Sequence, residues 1–165
     1  MIVVSDTTPL NYLVLVDAVH ILPALFEQVY VPEQVVIELS HPTAPPAVCD
    51  WIASPPTWLR VRSAARIDPD LRLDPGEVQA IGLAEELRAD HILIDEWAAR
   101  RVAAERGLHV IGTLGVLDQA AERNLIDLAI IFDRLLHTTF RVDRRLVRQL
   151  LERDAARLRR PPEET

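Results

Sequence analysis

Four acidic side chains stand at positions where they can act together: Asp6, Glu38, Glu77 and Asp95. Carboxylates gathered in one place repel one another, by roughly 4 kcal/mol for two charges about 4 Å apart at an effective dielectric near 20. A bound cation or a proton relieves that repulsion. An all-oxygen ligand set completed by water suits Mg²⁺ or Mn²⁺, whereas Zn²⁺ prefers Cys and His. If the fold assembles the four carboxylates, they predict a site for a divalent ion.

The predicted elements would carry these carboxylates to one edge of a sheet. Asp6 ends the apolar run IVVS and Asp95 ends the run HILI, both typical of buried strands. Glu38 is predicted on a helix opened by Pro32, and Glu77 on a helix that starts after Asp74. Ligands gather at the carboxyl ends of parallel strands, so the two strand-ending carboxylates are expected to lie close together.

Strands and helices alternate along the chain, which predicts an α/β fold. Five strands are expected, at residues 2–4, 28–31, 58–61, 91–95 and 108–111. Helices between them imply right-handed crossovers, a parallel sheet and three layers, α/β/α. Two further helices are predicted at 128–136 and 144–158. Residues 1–160 are expected to form one domain, with 161–165 as a flexible tail.

The composition favours a globular protein. The chain has 165 residues, 49% of them hydrophobic, and its apolar runs are short and interrupted by charge. We therefore expect no membrane segment and a cytoplasmic location. The single cysteine, Cys49, excludes an intrachain disulfide and a multi-cysteine metal site, and the five histidines show no ligand spacing.

The charge is unevenly distributed. The formal net charge is -7, but residues 141–160 hold eight arginines against three acidic side chains, and the chain has no lysine. An arginine-rich C-terminal helix can contact phosphates. A solvated charged face or a subunit interface accounts for it equally simply, and is slightly favoured.

Each carboxylate also has a purely structural explanation. Glu77 follows Asp74 by three residues, the spacing of a capping box, which needs no metal. Asp6 can be a turn or cap residue, Glu38 a solvated helix residue, and Asp95 the cap of the next helix. For each carboxylate taken singly, the structural explanation is favoured over a role in a metal site. The shared edge shifts the balance towards a common site.

Several stretches resemble successive motifs of PIN-domain proteins, in particular the prokaryotic branch related to the toxin nucleases of toxin–antitoxin pairs. The resemblance covers about residues 1–150 and lies in these stretches: SDTTPL, VPEQVVIEL, LDPGEVQAIGLAEEL, HILIDEWAARRVA, VIGTLGVL and TTFRVDRRLVRQLLERD.

The resemblance implies a five-stranded parallel sheet and a metal-dependent endoribonuclease with Mg²⁺ or Mn²⁺ in an acidic cleft. Carried over by position, the catalytic and metal-binding residues would be Asp6, Glu38, Glu77 and Asp95. Glu96, beside Asp95, shares or replaces its role as a ligand. The resemblance also implies an inhibitory antitoxin protein and a homodimer.

Further positions complete the predicted substrate site. Thr8 or Thr113 is expected to orient a carboxylate or a water in the cleft. Arg100 and Arg101 follow Asp95 on one predicted helix, where they can contact phosphates of an RNA substrate.

Two other functions compete with the nuclease. A phosphotransfer or phosphatase domain ranks well below it, because such domains often use a lysine and a second aspartate two residues after the first, and SDTTP provides neither. The other is a non-catalytic PIN-fold module that binds nucleic acid or protein. The surviving acidic set argues against that module without excluding it.

Overall fold

The computed structural model describes residues 1–159, so the predicted tail at 161–165 lies outside the described part of the chain. Its sheet has five parallel strands, as predicted, in the order β3-β2-β1-β4-β5. The strands are β1 (Ile2–Ser5), β2 (Gln28–Val31), β3 (Leu59–Val61), β4 (His91–Leu93) and β5 (Val110–Ile111).

The strand order places Asp6 and Asp95 after neighbouring strands. The chain builds outward from β1 through β2 to β3, then returns to lay β4 on the other side of β1. Val4 of β1 is in register with Ile92 of β4, and the Asp6 N–H donates to the Leu93 carbonyl at 3.0 Å. The crevice between β1 and β4 is therefore the point where the strand order reverses, the usual ligand position in such sheets.

Nine α-helices are described within residues 1–159, and most lie close to their predicted positions. Their bounds are α1 (Thr7–Leu15), α2 (Leu22–Leu25), α3 (Glu33–Leu39), α4 (Pro46–Ala53), α5 (Pro75–Leu87), α6 (Trp97–Glu105), α7 (Thr113–Glu122), α8 (Leu128–Leu136) and α9 (Arg144–Leu158). A 3₁₀ turn, Val19–Ile21, precedes α2. The bounds of α8 and α9 agree with the sequence prediction.

Alternate residues of the central strands enter two separate cores, which confirms the three layers. Val3 and Leu93 pack with α1, α3, α7 and α8 on one face of the sheet. Val4, Ile92 and Ile94 pack with α5 and α6 on the other. This two-sided burial explains why the strands are continuous apolar runs, and it fixes the direction in which each strand end points.

The helix starts after β1 and β4 bear on the structural explanations of the two strand-ending aspartates. Asp6 is the N-cap residue of α1, as one explanation allowed, but its side chain does not accept a capping hydrogen bond. Glu96, and not Asp95, is the N-cap residue of α6. Neither aspartate side chain therefore caps the helix that follows it. Gly107 has φ +79° just after α6, as expected for the residue that ends that helix.

No single helix in the described part of the chain is long and apolar enough to cross a membrane. One bent pair, Thr7–Leu15 with Val19–Leu25 and a 116° break, meets the criteria by length and composition only.

Candidate functional site

Asp6 lies at the carboxyl end of the central strand and is almost completely buried, with 3% of its surface exposed. The pKa of Asp6 is raised from 3.8 to about 7, chiefly by burial; the charges of Glu77 and Glu38 add to the rise, and the Thr7 and Thr8 backbone N–H groups oppose it. A buried carboxylate among like charges costs free energy unless a proton or a cation joins it.

Glu38 reaches this aspartate from α3 and is held by hydrogen bonds on both oxygens. The Thr7 hydroxyl donates to Oε2, the Gly76 N–H donates to Oε1 at 2.9 Å, and the Gln34 amide donates to Oε1 at 3.2 Å. A Cβ on Gly76 would lie 2.5 Å from Oε2, so a side chain at this position would displace the Glu38 carboxylate from the start of α5. There the partial positive charge of the helix N-terminus favours an anion.

Glu77 joins Asp6 and Glu38 from α5, and we call these three the Asp6 cluster. Its Oε2 accepts the Asp74 N–H at 3.0 Å, which completes the capping box that the spacing indicated. Glu77 is 6% exposed. Burial raises its pKa, and the charges of Asp74, Glu96 and Glu38 raise it further. Capping and proximity to Asp6 are therefore compatible in one side chain.

Asp95 is anchored differently, by the start of α7 instead of its own helix. The Thr113 N–H donates to Oδ1 at 2.8 Å and the Thr113 hydroxyl donates to Oδ2 at 2.6 Å. Thr113 is fully buried. Burial raises the pKa of Asp95, while the two Thr113 hydrogen bonds and the Arg100 charge act in the opposite direction. Thr113 thus holds the carboxylate in one orientation.

Arg100 completes what we call the Asp95 cluster: Asp95, Thr113 and Arg100. Its Nη1 donates to the Ile94 carbonyl at 2.9 Å. A Cβ on Gly112 would lie 2.6 Å from this nitrogen and 3.0 Å from Asp95 Oδ1. The missing side chain at Gly112 therefore lets a guanidinium and a carboxylate share the space before α7.

Glu96 lies between the two clusters. It is exposed and its charge raises the pKa of both Glu77 and Asp95. It lines a cleft with Glu77, and also a second cleft of about 310 Å³ with Asp95. Of the five predicted carboxylates, Glu96 is thus the one that bridges the two groups.

The second cleft contains Thr8, which the sequence analysis named, and residues that it did not single out as site residues. These others come from α1 and from the loop between α8 and α9: Tyr12, Thr139, Phe140 and Arg141. Tyr12 binds this loop through a 3.0 Å hydroxyl contact with Thr139 and an edge-on contact with the Phe140 ring. The TTFR stretch carried no pattern that would place it beside Asp95, which lies more than forty residues away in sequence.

The carboxylates do not form a ready-made metal cage. Among residues 1–159, no three Asp, Glu, His or Cys side chains are grouped so as to hold one ion. Hydrogen bonds hold Glu38 and Glu77 at the start of α5, whereas Asp95 is held at the start of α7. The donor chemistry, oxygen only, still matches Mg²⁺ or Mn²⁺.

Comparisons with known proteins identify the family. No curated protein sequence matches significantly. A solved structure of a PilT N-terminus domain protein, SSO1118 from the archaeon Sulfolobus solfataricus P2, is similar at TM-score 0.48 and 15% identity, covering 86% of this chain and 100% of that one. The PIN-domain family model DUF3368 matches residues 2–155. Since that match spans nearly the whole sequence, the chain belongs to the PIN-domain family.

Proposed function

We propose that this protein is a metal-dependent endoribonuclease that hydrolyses RNA phosphodiester bonds. One observation carries the proposal: Asp6 is buried beside Glu38 and Glu77, with its pKa raised to about 7, at the crevice where the strand order reverses. A carboxylate in a cleft whose pKa is strongly perturbed by burial and neighbouring charges is a candidate for a functional group. Membership of the PIN-domain family supports the same conclusion, because the PIN domain is generally a nuclease fold and commonly uses divalent metals.

Asp6 and Glu77 would hold the ion, with Glu38 and Glu96 adding negative charge nearby. Mg²⁺ is usually bound through one or two carboxylates, several waters and the phosphates of the substrate. Such a site needs no group of three protein ligands, in keeping with the arrangement among residues 1–159. When bound, the ion supplies a water of lowered pKa and a charge that offsets the developing charge on the phosphate.

The chain's own residues would position the substrate. Thr113 fixes Asp95 at the edge of the second cleft, and Arg100 offsets the charge of that carboxylate. Arg141 lines two clefts that also contain Asp95. It makes no ion pair with any residue in 1–159, whereas Arg106, Arg153 and Arg157 are all paired. Its guanidinium is therefore available to bind a phosphate of the RNA backbone.

Cleavage by Asp6→Asn tests the proposal. We expect the wild-type protein to cut single-stranded RNA in Mn²⁺ or Mg²⁺, and the variant to be slower by at least about 100-fold, the scale of losing one preorganised electrostatic group. Circular dichroism would establish that the variant folds. Undiminished, metal-dependent cleavage by folded Asp6→Asn would exclude this role for Asp6.

The second candidate, a non-catalytic binding module, is favoured by the absence of a three-ligand group among residues 1–159. Calorimetric titration with Mn²⁺ separates the two functions. The nuclease predicts an affinity that falls in Asp6→Asn, whereas the binding module predicts no Asp6-dependent affinity.

The toxin role, an inhibitory antitoxin and a homodimer also remain proposals, supported by the family resemblance alone. Exposed Ile130 and Leu136 on α8 provide apolar surface for a partner. Chromatography of the purified protein with light-scattering detection tests the dimer directly.

A further inference from the structure

Trp97 is the most exposed large apolar side chain in the described part of the molecule, with 70% of its surface accessible. The other two tryptophans, Trp51 and Trp58, are partly buried and their ring centres lie 6.3 Å apart. Trp97 is the first residue of α6 and follows directly after Asp95 and Glu96. A large ring is thus presented to solvent at the rim of the acidic edge, with most of its surface left uncovered by the fold.

A guanidinium accompanies the ring. The Arg101 Cζ lies 5.2 Å from the centre of the Trp97 ring, one helical turn further along α6, within the range of a cation–π contact. Arg101 Nε also lies 3.7 Å from Glu105 Oε1. An exposed ion pair of this kind contributes little to stability. The ring keeps most of its surface free despite the contact, so a further flat group can stack on it.

We propose that Trp97 and Arg101 form a stacking platform that holds one unpaired base of an RNA strand bound at the neighbouring acidic edge. The inference rests on the proposed nuclease function and adds to it a base-binding subsite at the start of α6. Trp97 offers a stacking surface of the kind that binds single strands, and Arg101 adds a cation.

The charge at the rim explains why a base, rather than a phosphate, would be the group held here. Asp95 and Glu96 precede the platform directly and repel a polyanion. Stacking of a base on an aromatic ring does not depend on charge and is worth about 1–3 kcal/mol by alanine substitution. A base inside a duplex is already stacked and paired, so it cannot use the platform without being extruded.

Fluorescence of Trp97 tests this binding site separately from cleavage. In a Trp51→Phe, Trp58→Phe, Asp6→Asn protein, Trp97 is the sole tryptophan. We expect a ten-residue oligouridylate to quench its emission, and the same strand annealed to oligoadenylate to leave it unchanged. With the RNA labelled for anisotropy, Trp97→Ala should weaken binding of the single strand by about 5- to 150-fold, and Trp97→Phe by less than about 3-fold.

The controls separate the possible outcomes. Leu125→Ala removes an exposed apolar side chain between α7 and α8 and should not change RNA affinity. Three results would each overturn the platform: unchanged RNA affinity of Trp97→Ala, equal quenching by the duplex, or no quenching by RNA. The last result is the one expected if Trp97 binds a protein partner instead. Quenching by single strands in a protein whose wild type cuts no RNA would leave the platform intact and remove the nuclease. RNA cleavage by the wild type together with unchanged RNA affinity of Trp97→Ala would remove the platform and leave the nuclease intact.

Discussion

The Asp6 cluster and the Asp95 cluster use the same residue type at the ends of adjacent strands, yet their electrostatics differ. Asp6 is surrounded by Glu77 and Glu38, and its pKa is raised to about 7. Burial raises the pKa of Asp95 as well, but two Thr113 hydrogen bonds and the Arg100 guanidinium oppose this rise. Within residues 1–159 no basic side chain forms an ion pair with the Asp6 cluster, whereas Arg100 partly offsets the charge of Asp95. We therefore expect the proposed metal ion beside Asp6 rather than beside Asp95.

The largest expected effect is on stability, through Asp6→Asn. In the folded protein the pKa of Asp6 is raised from 3.8 to about 7, so the folded state binds more protons than the unfolded state in that range. The contribution of Asp6 to stability therefore falls as the pH rises from about 4 to about 7. Above that range the ionised, buried Asp6 lowers the free energy of unfolding by an amount on the order of 4 kcal/mol. Asp6→Asn should be more stable than wild type, by a margin that widens across this range in urea denaturation.

Mn²⁺ sharpens this prediction. A cation bound only by the folded wild type stabilises it by about 2.7 kcal/mol when its concentration is 100 times its Kd. Mn²⁺ should therefore narrow the difference in unfolding free energy between Asp6→Asn and the wild type at pH 8. Asp95→Asn serves as the matched variant, and its margin should change less with pH because Thr113 and Arg100 oppose the pKa shift of Asp95. Identical pH profiles for the two variants would contradict the distinction between the clusters.

A smaller effect is expected from Thr113→Val, which keeps the shape of a fully buried side chain but removes the hydroxyl that donates to Asp95. Thr113 orients Asp95 at the edge of the proposed substrate cleft, and misplacement of such a group can slow an enzyme by up to about 100-fold. Steady-state cleavage rates measure this loss, and Mn²⁺ titration should show an affinity close to that of the wild type. Thr113→Ser retains the donor and should recover most of the activity. Equal losses in the two variants would mean that packing, not the hydroxyl, matters here.

The smallest effect concerns Arg141→Gln, at the cleft beside Asp95. Removal of one phosphate contact should raise KM a few-fold and reduce the slope of log affinity against log salt by about 0.7 for a single strand. Arg145→Gln, an equal change of charge on exposed α9, provides the control. If both variants shift the slope equally, the effect comes from overall charge, and the Asp95 cleft has no specific phosphate contact.

Much of the fold follows from local patterns. Apolar runs predicted all five strands, and the spacing of Asp74 and Glu77 predicted the capping box that starts α5. The same patterns did not settle the start of α6, where Glu96 and not Asp95 is the N-cap residue, or the role of Asp6, whose side chain makes no capping bond at the start of α1. Propensity describes which residues favour such a position, but it does not show whether their oxygens have better partners elsewhere.

The sequence by itself determined the parallel α/β architecture and the presence of carboxylates at the ends of β1 and β4, because buried strands and helix starts leave periodic, local signals. Only the tertiary structure decided that Glu38 meets Gly76, that Asp95 is held by Thr113, and that the loop with Arg141 lies beside it. Those contacts join residues far apart in the chain. Their partners are selected by the strand order and by the space that Gly76 and Gly112 leave open, neither of which is encoded in any single stretch.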